Sequence, residues 1–136
     1  MNKFFYTISF SMIALLATTA CGTPPVKATP DMKGKTFSAP SDKVFSAVIK
    51  AFEVVECTVN TNNGTNYADC KRPNKVGLFV GSGGETISAY VEGKSAKETE
   101  VKVNTAKSFV GYAGQRNWDE DVLAEIEKAL AALPKK

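Results

Sequence analysis

Val54-Val55-Glu56-Cys57-Thr58-Val59-Asn60-Thr61-Asn62-Asn63-Gly64-Thr65-Asn66-Tyr67-Ala68-Asp69-Cys70-Lys71 is the stretch on which the fold depends. Val54 to Val59 and Asn66 to Lys71 are strand-like runs. Between them, Asn63-Gly64 is the preferred pair for a two-residue type I′ hairpin turn, because both central positions need a positive φ. Counting outward from that turn, Asn62 faces Thr65, Thr61 faces Asn66, Val59 faces Ala68 and Cys57 faces Cys70. Alternation makes the last of these a non-hydrogen-bonded pair, with Cα atoms ~4.5 Å apart, within the span a disulfide accepts. Turn chemistry and cysteine spacing thus predict one bridge, Cys57–Cys70, acting as a staple. A redox or metal pair would want CxxC spacing or further ligands, and neither is present. Asn63-Gly64-Thr65 also spells a glycosylation sequon.

Working downstream, Val76-Gly77-Leu78-Phe79-Val80 is followed by Gly81-Ser82-Gly83-Gly84. A phosphate-cradling loop needs Gly-Lys-Ser/Thr with a helix behind it, whereas here Glu85 follows and then a strand. Between strands, such glycines read as a turn or bulge. Thr86 to Val91 alternates Ile87, Ala89 and Val91 against Thr86, Ser88 and Tyr90. After a turn at residues 92–96, Glu98 to Thr105 alternates again, with Thr99, Val101 and Val103 on one face. Glu98, Glu100 and Lys102 point the other way, which predicts a wet outer face. Phe109 to Gly114 is a glycine-punctuated loop carrying Tyr112, and Arg116 follows it.

Two helices flank these strands. Upstream, Thr36-Phe37-Ser38 is a short strand candidate, and Pro40 stops it. Ser41 is then the expected N-cap of a helix with Asp42 in its first turn. Val44, Phe45, Val48, Ile49, Ala51 and Phe52 share its apolar face. Downstream, Asn117 is the expected cap of a final helix, with Glu120 at the capping-box spacing. Its buried stripe is Trp118, Val122, Leu123, Ile126, Ala129, Leu130 and Leu133. Consecutive acids on a helix diverge, so Asp119-Glu120-Asp121 is helix-start chemistry rather than a metal site. Strands with one apolar face need a cover, and two amphipathic helices supply it. The expected class is α+β: an antiparallel sheet of about four to five strands with both helices packed on one face.

Composition sets firm exclusions. The chain has 136 residues, 43% apolar and 23% charged, which suits one domain. It has no histidine, which excludes Ser-His-Asp and Cys-His catalysis and every histidine metal site. With 17 basic against 14 acidic side chains there is no broad basic footprint for nucleic acid. No cofactor motif is present.

The chain opens Met1-Asn2-Lys3, continues with an apolar run from Phe4 to Ala17, and reaches Thr18-Thr19-Ala20-Cys21. One positive charge, a short apolar core and small residues before a cut describe a secretory signal peptide over residues 1–20. The run is shorter than the ~20 residues a membrane-spanning helix needs. Thr19, Ala20 and Cys21 resemble the lipobox of bacterial lipoproteins, in which the cysteine is lipidated and becomes the new N-terminus; Thr18 stands where Leu is usual. Thr18-Thr19-Ala20 also suits ordinary signal-peptidase cleavage, but that would leave Cys21 an odd thiol in an oxidising compartment. The resemblance implies a membrane anchor through lipid on Cys21. Gly22 replaces the aspartate of inner-membrane retention, which implies the outer membrane rather than the inner. Residues 21–35, with Pro24, Pro25 and Pro30, then read as the lipidated N-terminus and a tether, and residues 36–136 as a single domain.

Over residues 36–133 the order is similar to that of small β-α-β-β-β-α domains, sometimes called helix-grip-like, found in envelope lipoproteins of unknown function. Gly81-Ser82-Gly83-Gly84-Glu85 and Trp118-Asp119 carry that resemblance, and no catalytic residues come with it. The expected function is a lipid-anchored envelope module that binds or scaffolds a protein or glycan partner. Its candidate surfaces are the outer sheet face with Thr86, Ser88 and Tyr90, and the loop bearing Tyr112 and Arg116. Two alternatives stay open: an inhibitor or immunity-type lipoprotein, and a small envelope hydrolase built on Ser82 or on a carboxylate pair such as Glu85 and Asp69. The hydrolase would lack a histidine base.

Overall fold

The computed structural model describes residues 28–76, 81–108 and 114–134. The signal segment, Cys21, the first part of the tether, Tyr112 and most of the run from Val76 to Val80 lie outside the described residues. A five-stranded antiparallel sheet has the order β1-β7-β6-β3-β2, from β1 (Lys33–Phe37), β2 (Thr58–Asn62), β3 (Tyr67–Lys71), β6 (Thr86–Ser95) and β7 (Glu98–Ala106). A separate two-stranded ribbon pairs β4 (Lys75–Val76) with β5 (Gly81–Ser82). Helices α1 (Ser41–Val54) and α2 (Asp119–Ala131) pack along each other on one face of the sheet. The α+β expectation therefore holds, with five strands and both helices on one side. No described helix is long and apolar enough to cross a membrane.

The two periodicities read from the sequence meet in one core. Val44, Phe45, Val48, Ala51 and Phe52 of α1 and Val122, Leu123 and Ile126 of α2 face Ala68, Cys70, Ile87, Ala89, Val91, Val101 and Val103 of the sheet. Full burial of such side chains contributes roughly 1.5–3 kcal/mol each. β1 begins at Lys33, inside the segment read as tether. Its alternate residues Lys33 and Lys35 point to the helix side, where they pair with Glu120 and Glu127 of α2. Both edge strands are short and polar or lysine-bearing, which discourages further strand pairing.

Both helix starts differ from expectation by one residue. Pro40 holds the N-cap position of α1 and Ser41 is already helical, with no side-chain cap bond. The fixed φ of proline, here −62° with an extended ψ, sets the entry without a hydroxyl. Trp118 occupies the N-cap position of α2. Asn117 still serves this end, since its Oδ1 accepts the Asp119 N–H at 2.8 Å. Asp119 itself is buried and accepts from Thr105 Oγ1 at 2.7 Å. The first acid of the triplet thus ties the helix to β7 as well as serving its dipole.

The hairpin register is the main correction. Val59, not Cys57, lies opposite Cys70; Thr58 pairs with Lys71, Thr61 with Asp69 and Asn62 with Ala68. Asn60 is the extra residue of a bulge. The connection is longer than two residues, closing with the Asn63 N–H on the Tyr67 carbonyl at 3.1 Å. The reason is the Asn63 side chain. Its Oδ1 accepts the backbone N–H groups of Thr65, Asn66 and Tyr67 at 3.0–3.1 Å, so a side chain organises the loop that a type I′ turn would have closed. Gly64 keeps a positive φ of 77°.

The predicted bridge nonetheless forms. Cys57 and Cys70 are joined, with Cα atoms 5.4 Å apart. Cys57 sits before β2, at the end of a Schellman turn: its N–H reaches the Phe52 carbonyl at 2.8 Å while Glu56 N–H reaches Glu53 at 3.0 Å. Glu56 takes the left-handed position with φ 55°, where glycine is usual. The disulfide therefore ties the end of α1 to β3, rather than stapling two strands of one hairpin.

Candidate functional site

The helices leave the opposite face of the sheet uncovered by any described element, and strand alternation places Tyr67, Asp69, Ser88 and Tyr90 there. Tyr67 faces Tyr90 across the ladder, and Asp69 faces Ser88. The two rings meet at 5.1 Å between centroids and 50° between planes, an ordinary attractive geometry. Each tyrosine lies along its strand over the neighbouring pair. Tyr67 O–H donates to Asp69 Oδ2 at 2.9 Å, and the Ser88 hydroxyl lies against both phenols. This explains why Asp69 is only 4% exposed on the open face of a sheet. The bulge supplies the second donor: it aims Asn60 at Asp69, and Nδ2 reaches Oδ1 at 3.2 Å.

Burial pushes the Tyr67 phenol up to about 12, helped by its bond to Asp69, and burial also raises Tyr90. Both are therefore neutral donors at any physiological pH. A raised phenol favours the protonated folded state, so its stabilising contribution is complete below the ordinary value near 10 and is lost as pH rises through about 12. Phenolate absorbance in an alkaline titration should show a late step at about 12 from Tyr67. Tyr67→Phe should abolish that late step; a late step that persists in the variant would assign it elsewhere.

Arg116, the other described surface candidate, lies in a different constellation. Its guanidinium stacks on Trp118 at 3.8 Å from the ring centroid, and Arg72 stacks on the same ring at 3.7 Å. Arg116 also pairs with Asp121 at 3.2 Å. Beneath them Glu85 is 1% exposed and accepts from Trp118 Nε1 at 3.2 Å and from the Arg116 N–H at 3.3 Å. Arg72 Nη1 stands 3.9 Å from Glu85 Oε2, while Arg72 Nε donates to the Val55 carbonyl. Gln115 adds a bond from Nε2 to the Gly83 carbonyl. Gly83 has φ 85°, and a Cβ there would stand 2.0 Å from the Pro73 carbonyl oxygen, so the glycine run is a close backbone approach.

Tyr90 and Arg116 are thus set in separate networks, and Tyr112 lies outside the described residues. Glu85 and Asp69, offered above as a carboxylate pair, share no partner: one is held by Trp118 and Arg72, the other by Tyr67 and Asn60. Tyr67 and Asn60 were not singled out in the sequence. Tyr67 had a readable signal, since it alternates with Ala68 and Cys70; Asn60 had none, because a bulge is invisible without the pairing. Among the described residues, no group of three or more His, Cys, Asp or Glu side chains is placed to hold a metal. What the outer face offers chemically is recognition: two aromatic surfaces and fixed donors and acceptors on a rigid sheet. No known family model matches the chain, and a search of curated proteins finds no match either.

Proposed function

We propose that this chain is a bacterial envelope lipoprotein, cut before Cys21 and anchored by lipid there, whose α+β domain is a binding or scaffolding module for a protein or glycan. The observation that carries the binding reading is the tyrosine pair over Asp69 on the sheet face opposite the helices. A polar, aromatic and prepositioned surface supports recognition, because little ordering entropy is lost when a partner arrives. Lipid on Cys21 would supply the anchor, since each buried methylene contributes ~0.8 kcal/mol and two or more chains hold stably. By the lipobox resemblance, the anchor is in the outer membrane.

Cross-linking in cells followed by purification of the intact protein tests the binding reading. Wild type is expected to carry a recurrent partner that Tyr90→Ala loses while its domain still melts as a folded unit, at a temperature lowered only by the lost ring pair. Equal capture by both would remove the outer face from the proposal. Cys21→Ala should move the protein from the membrane to the soluble fraction with its fold intact. Retention of that variant on the membrane would overturn the anchor.

A further inference from the structure

We infer that Asn63-Gly64 is a conformationally gated deamidation site, closed in the folded domain and opened when the β2–β3 loop frays. Deamidation at Asn-Gly is intramolecular. The backbone nitrogen of Gly64 attacks Cγ of Asn63, a C–N bond forms, the Cγ–Nδ2 bond breaks, and the Gly64 proton leaves with the amide as ammonia. Water then opens the succinimide at either carbonyl, giving aspartate or isoaspartate. Glycine favours the attack because no Cβ shields its nitrogen. All four loop residues, Asn63 to Asn66, are exposed, so water has access.

The fold restrains both reacting atoms. The nucleophile is engaged, since the Gly64 N–H donates to Asn62 Oδ1 at 2.7 Å. The electrophilic amide is held at both ends. Its oxygen accepts from Thr65, Asn66 and Tyr67 N–H, and Nδ2 donates to Asn66 Oδ1 at 2.6 Å. To react, Cγ has to swing onto the Gly64 nitrogen, which breaks these bonds together. Reaction therefore proceeds from the open loop, and its rate is scaled by the open population.

The modification reaches beyond the loop. An isoaspartate at 63 inserts a backbone methylene ahead of β3 and removes the acceptor that fixes the Tyr67 N–H, at the root of the outer face. Cys57–Cys70 closes the same segment from its far end, so bridge and amide clamp hold one gate. This inference rests on the loop alone and stands whether or not the outer face binds a partner.

The test is peptide mass spectrometry over residues 58–71 after timed incubation of the full chain, native and in parallel reduced and unfolded in urea. The native chain should convert Asn63 at least ~10-fold more slowly than the unfolded chain, as expected for reaction from an opened state. Asn66→Ala, which frees the nitrogen end of the amide, and Asn62→Ala, which frees the Gly64 N–H, should each speed conversion in the native chain. Both touch exposed side chains, and an unchanged melting curve would show that the loop alone has opened. If a variant proves less stable overall, amide exchange of Thr65, Asn66 and Tyr67 in the wild type takes its place: these N–H groups should be protected. Equal ageing of native and unfolded wild type, native-rate ageing of both variants, or unprotected loop amides would each overturn the gate.

Discussion

Replacing Glu85 by alanine is expected to destabilise the domain by roughly 3 kcal/mol or more, the usual result of removing one partner from a buried charged network. For a domain of this size that corresponds to a fall in Tm of about 15 °C. The reason is what the carboxylate leaves behind. Trp118 Nε1 and the Arg116 N–H lose their common acceptor, and Arg72, mostly buried, keeps among the described residues only Glu56 at 3.9 Å as a counter-charge. Glu85→Gln retains an oxygen for both donors but loses the charge and turns an amide nitrogen towards Arg72, so its Tm should fall, though less than that of the alanine variant. Thermal melts of the two variants separate the contributions. An alanine variant melting within a few degrees of wild type would show that the Trp118 stack holds this end of the sheet without the carboxylate.

The second large effect concerns the disulfide. Converting Cys57 and Cys70 together to alanine should cost roughly 3 kcal/mol, the chain-entropy value for a loop of this length. The sequence separation is 13 residues. Position makes the prediction sharper than the magnitude. Because the bridge joins the Schellman end of α1 to β3, amide exchange in the variant should rise first at that end of α1 and along β2 and β3. The β1–β7 side, which the bridge does not touch, should respond least. An equal rise across the whole sheet would mean that the bridge acts only through the unfolded chain. Neither cysteine is exposed, so mild reductant should leave the bridge intact in the native protein.

The amino-acid sequence alone determined the class of this fold, because its periods are unambiguous. Val44, Phe45, Val48, Ala51 and Phe52 recur at helical spacing, while Ile87, Ala89 and Val91 alternate at strand spacing. Once one face of each element is apolar, burying those faces together leaves little but a sheet with both helices on one side. The sequence also determined the disulfide, since two buried cysteines flanking a turn signal have few other partners. The absence of histidine is likewise a fact of sequence, and it removes whole classes of chemistry.

Tertiary structure decided everything that depends on register and on contacts between distant residues. The expected Cys57–Cys70 pairing across the hairpin gave the right bridge from the wrong ladder. An asparagine side chain reorganised the loop, and a bulge at Asn60 shifted the strands. The register differs from the expected one by two residues at Cys70 and by three beyond the bulge, and loop length and turn type set that offset, so local strand propensity cannot resolve it. The glycine run at 81–84 read as a turn, but Gly83 is demanded by a carbonyl of Pro73 ten residues earlier. Trp118 packs against the core as its place in the helix stripe implies, but that two arginines, from residues 72 and 116, close over its ring is a contact made only in the folded chain. Tyr90 was visible in the alternation; its partners Tyr67, Asp69 and Ser88 became a surface only when β3 and β6 lay side by side. Period is a property of neighbours along the chain and survives in the sequence, while a site is a property of neighbours in space and exists only after the chain has folded.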